Sequence, residues 1–132
     1  MSSPQRRLRR APAERFAGPE HLFELGVVAD GLRTEAQPVR DGHRQITLFR
    51  RDDFALVLFD FDAGGVLSDH AAEGYVAIQA LSGSLQVATR TGNHVLNAGS
   101  VLVLAPSVRH DVTASVPSRM LLTVNLVRSD EE

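Results

Sequence analysis

The chain has 132 residues, 43% of them hydrophobic, with 14 basic residues against 16 acidic ones and a formal net charge of −2. That length suits one domain with a modest core, built mainly from aliphatic side chains because there are six Phe, one Tyr and no Trp. No cysteine is present and every basic residue is Arg, so disulfides, thiolate catalysis, Cys-type zinc sites and lysine Schiff-base chemistry are excluded. No apolar run approaches the roughly 20 residues that a bilayer-spanning helix needs, and no membrane partner is expected.

Residues 1–19 read as a flexible basic arm. Arg6, Arg7, Arg9, Arg10 and Arg15 face only Glu14, and Pro4, Pro12 and Pro19 disfavour a continuous helix. Such a stretch can touch nucleic acid or acidic lipid, but chain ends are commonly loose and solvated. No helix-turn-helix or RNA-binding aromatic signature accompanies it, so a nucleic-acid partner is not expected. Ala11-Pro12-Ala13-Glu14-Arg15 is not the apolar region of an export signal, which leads to a cytoplasmic expectation.

Residues 20–42 form an N-terminal extension. Leu22, Phe23, Leu25, Val27, Val28 and Leu32 fit a short helix or an irregular strand, and Gly31, Pro38, Asp41 and Gly42 mark loops. From residue 43 to 128 the texture is that of strands. Gln45–Arg50 alternates, with Ile46 and Leu48 opposite Thr47 and Phe49. Phe54–Phe61 is apolar on both faces, as in a strand with cover on both sides. Val66–Ala72, Tyr75–Leu81, Ser84–Arg90, Val101–Ala105, His110–Val116 and Met120–Arg128 follow, separated by Gly, Pro and Asn. About eight short strands at close spacing predict an all-β barrel or sandwich. Residues 129–132 are an acidic tail.

Parity places His110 with Val112, Ala114 and Val116 on an apolar, inward face, and His70 with Val66, Ser68 and Ala72 on a small, semi-polar one. Small neighbours leave room beside an imidazole. Of the other histidines, His43 and His94 read as exposed loop residues and His21 carries no motif. Tyr75 and Gln79 suit a cavity wall or a subunit interface, the interface or outer sheet being favoured for Gln79. Asp60 and Asp62 share a face and, beside Ala63-Gly64, read as polar strand-end residues rather than an acid–base pair.

Two glycine-led half-motifs deliver these histidines: Gly64-Gly65-Val66-Leu67-Ser68-Asp69-His70 with Gly83 beyond it, and Gly99-Ser100 leading through Pro106 to His110. Over residues 44–127 the pairing resembles the cupin superfamily. The resemblance implies a small antiparallel β-barrel of double-stranded β-helix, or jelly-roll, type, and a homodimer. A complete cupin site carries three histidines and a glutamate, a donor set for Mn, Fe, Ni, Zn or Cu. Carried over, His70 and His110 match two of the histidines, whereas Ala72 stands at the third and Val76 at the glutamate. Glu73, in the loop just past Ala72, is the candidate substitute. The implied cavity is lined by Ser68, His70, Ala72 and His110, with a weak metal site at His70 and His110 or no metal at all. Function is then expected to be small-molecule binding, the alternatives being a metal-dependent dioxygenase- or isomerase-like enzyme and an effector-sensing regulatory module.

Overall fold

The structure is a computed structural model that describes the chain apart from residues 1–14, 36–38, 40 and 127–132; the side chains of Asp69 and His70 also lie outside the described residues. The expectations for most of the basic arm and for the acidic tail fall there. The described residues form helix α1 (Leu25–Arg33) and nine strands: β1 (His43–Arg51), β2 (Phe54–Phe61), β3 (Val66–His70), β4 (Gly74–Ser82), β5 (Ser84–Thr89), β6 (Gly92–Asn97), β7 (Val101–Leu104), β8 (His110–Ala114) and β9 (Ser118–Leu126). They pair antiparallel in two sheets, β1-β2-β9-β4-β7 and β3-β8-β5-β6. The result is the expected jelly-roll architecture. Among the described residues its two sheets are not joined by hydrogen bonds into one closed barrel.

Alternation decides what each strand buries. Phe59 and Phe61 from β2, Val76, Ile78 and Ala80 from β4, Leu85 and Val87 from β5, Val112 and Ala114 from β8, and Met120 and Leu122 from β9 fill the space between the sheets. The opposite faces of β1 and β2 carry Ile46, Leu48 and Leu58, which pack on Ala29 and Leu32 of α1. The N-terminal extension is therefore a helix. Leu25, Val28, Ala29 and Leu32 recur at helical spacing along its sheet side, and Thr34 ends it, its backbone N–H and its hydroxyl both donating to the Gly31 carbonyl. This explains why β2 is apolar on both faces: α1 supplies a second layer over Leu58 and Leu56.

A buried ion network fastens this layer. Asp60, 2% exposed, continues the outward parity of Leu58 and lies between Arg33 of α1 and Arg119 of β9. Arg119 donates through Nε to Asp60 at 3.0 Å and through Nη2 to Asp30 of α1 at 2.7 Å. The bond to Asp30 and then that to Asp60 raise the Arg119 pKa above its usual value, against the opposing effect of burial. Arg33 and Arg44 each reach Asp62 at 3.3 Å. Asp60 is thus no polar strand end but the buried hub between helix and sheet.

His43 is a second correction. It opens β1, is only 7% exposed, and faces inward with its register partner Phe61. Its Nδ1–H donates to the Val66 carbonyl at 3.0 Å, and its Nε2 meets the Gln45 side-chain amide at 3.2 Å. The ring lies 5.6 Å from Phe59 and 5.4 Å from Phe61. Together with the Val66 N–H, which donates to the Asp41 carbonyl at 2.8 Å, it stitches the edge strand of one sheet to the edge strand of the other. The expected loop position missed this because the alternation of β1 starts earlier, at residue 43.

Candidate functional site

Each half-motif is a turn that launches a strand. Gly64, at φ 82°, takes a conformation that costs a side chain, and its N–H donates to the Ala114 carbonyl at 2.7 Å. The Ala114 N–H returns a bond to Gly65 at 2.9 Å, so β3 enters already registered on β8. Gly65 is packed so tightly that a Cβ there would overlap the Gly42 carbonyl. In the second motif Gly99, at φ 95°, donates to the Ala80 carbonyl at 2.9 Å. The two motifs then touch: the Ser107 N–H donates to the Ala72 carbonyl at 2.7 Å.

The β3–β8 register pairs Leu67 with Val112 and, after a shift, His70 with His110. One strand from each half-motif therefore brings its histidine position to the same rung. The shift also corrects the simple parity reading of β3, because a bulge inserts a residue and breaks alternation. Leu67 packs on the core and Ser68 is exposed. The side-chain placement of His70 lies outside the described residues. His110 is 2% exposed, as its inward parity requires. Its Nδ1–H donates to the Val108 carbonyl at 3.1 Å, which fixes the tautomer carrying the lone pair on Nε2.

Ala72 is half-buried against the core and lines a recess of about 230 Å³ together with Ala55, Val57, Leu122, Val124 and Leu126, with Arg50, Asp52 and Asp53 at its rim. Val76, where the resemblance puts a glutamate, is 3% exposed in the core and pairs directly with Val124. Both replaced ligand positions are thus hydrocarbon at or beside this recess. Glu73 is exposed. Among the described residues no group of three or more His, Asp or Glu is gathered as metal donors. That donor set does not fit a tightly held metal, since two imidazole positions make a weak and poorly selective site.

The remaining candidates fall elsewhere. Tyr75, 53% exposed, and half-buried Gln79 lie on the face of β4 opposite Val76 and Ile78, outside the core. His94 is exposed, on β6 rather than in a turn. His21 rests against Phe49 at 4.9 Å between ring centroids. No helix of the described residues is long and apolar enough to cross a membrane.

No protein-family model matches the chain, and no curated protein matches it in sequence. Solved structures do. A conserved Streptococcus pyogenes protein of unknown function aligns with a TM-score of 0.68 at 22% identity, covering 86% of this chain and 96% of that one. A cupin superfamily protein from Desulfitobacterium hafniense gives 0.67 at 17% identity over 86% and 96%. KdgF from a Halomonas species gives 0.62 at 22% identity over 76% and 93%. At these identities the likeness speaks for the fold. The paired glycine–histidine half-motifs, the two facing antiparallel sheets and these neighbours together make the chain a cupin by fold.

Proposed function

We propose that this cupin binds a small molecule between its sheets, at the end where the two half-motifs meet. The observation that carries the reading is the rung pairing His70 with His110, next to motif loops joined through Ala72 and Ser107. A small recess opens at Ala72, as ligand sites commonly combine apolar walls with a few convergent polar groups. In this reading His70 and His110 supply polar contacts beside the recess, whose own walls do not include His110. A divalent ion is held only weakly and exchangeably, because hydrocarbon replaces two of the usual donors.

The test is the double variant His70→Ala, His110→Ala. Titration calorimetry with Ni²⁺ is expected to give weak binding to the parent and none to the variant, which keeps a cooperative melting transition. Undiminished Ni²⁺ binding in the variant would place the ion elsewhere and remove the shared-site reading.

A further inference from the structure

The recess itself narrows the ligand class. We infer that it takes a small molecule with an apolar body and no negative charge, about the size of a benzene ring bearing one short polar substituent. This rests on the small-molecule reading above and specifies the chemistry of its ligand. Val57, Ala72, Leu122 and Val124 present no polar side-chain atom to an occupant. An amide or hydroxyl buried against them would lose its water without gaining a partner, which disfavours sugars and polyols. Size points the same way: dry apolar cavities of about 150 Å³ accept benzene, and about 230 Å³ leaves room for a substituent.

The rim sets the charge. Arg50, Asp52 and Asp53 come from the β1–β2 hairpin and present both signs at the mouth. With two carboxylates against one guanidinium the mouth is net negative, which repels an anionic head group. A hydroxyl suits both signs, accepting from Arg50 while donating to a carboxylate. The mouth is held in place. Asp52 takes φ 56° in the two-residue turn, a conformation Asp tolerates, and the Leu126 N–H donates to the Asp53 carbonyl at 2.8 Å. Hairpin and strand end are thereby fixed to each other before any ligand arrives.

The experiment uses the full, tag-free chain with labelled Val and Leu methyl groups. Toluene, benzyl alcohol and benzoate are titrated with and without EDTA while methyl spectra are recorded. Toluene and benzyl alcohol are expected to shift the Val57, Leu122 and Val124 methyls to saturation regardless of EDTA. Benzoate should bind about tenfold more weakly or worse. Ala72→Phe fills the recess and should weaken benzyl alcohol by about tenfold or more with a cooperative melt; Ala55→Leu serves if that variant does not fold. Equal or tighter binding of benzoate, loss of binding with EDTA, or no shift of these methyls overturns the inference. If apolar probes fail while a polar ligand shifts the His110 imidazole, only the ligand class falls. If no ligand perturbs either region, the small-molecule reading falls with it.

Discussion

Asp60→Ala is expected to lower stability by about 3 kcal/mol, the lower end of the range for breaking a buried ion pair, and to free α1 from the sheet. Asp60 is 2% exposed and takes Arg33 on one oxygen and Arg119 on the other. Without it, two guanidinium groups from different elements face each other with only Asp30 and Asp62 to balance them. Arg33 is 44% exposed and can regain water, which keeps the loss from being larger. Hydrogen exchange should show protection lost first in residues 25–33, with the core strands following later. A loss below about 1 kcal/mol, as for a surface pair, or uniform loss of protection would refute a local clamp.

Phe59→Ala, one position away and on the other face of the same strand, should act globally. Phe59 is 2% exposed, stacks on Phe61 at 5.9 Å and lies 5.6 Å from the His43 ring. Emptying such a site costs about 3–5 kcal/mol, from lost burial and from the cavity left behind. Here exchange protection should fall across both sheets together, because the missing ring touches the layer they share. Denaturant melts that change by less than about 1 kcal/mol would mean the core closes over the gap with unusual ease.

These two neighbours mark where sequence reading succeeds and where it stops. Alternation in β1 and β8 and the turns at Gly64 and Gly99 are local properties, so strands and half-motifs were legible. The expected barrel became two facing sheets of the same jelly-roll class. Which face of β2 is interior is not a local property: both are apolar, and only α1 packing on Leu58 assigns the outer one. Asp60 looked like a polar strand end because its arginine partners lie 27 and 59 residues away. Bulges hide in the same way. The shifts between Thr47 and Phe49 and between Leu67 and His70 exist only relative to a partner strand, so parity alone cannot follow either strand past its bulge. His43 gave no such signal, since the residues that share its parity, Gln45 and Thr47, are polar, and Gln45 is exposed. The recess at Ala72 left no trace in the sequence beyond the apolar residues standing at two expected ligand positions.

The most direct measurement is the metal content of tag-free protein, expressed in metal-supplemented medium and then dialysed against a chelator. With hydrocarbon at Ala72 and Val76 and only two histidine positions on the β3–β8 rung, the expected result is far less than one ion per chain, with the fold retained. One tightly held transition metal ion per chain would contradict it. Such a result would mean that further donors complete the site and would put the metal-dependent enzyme ahead of the binder.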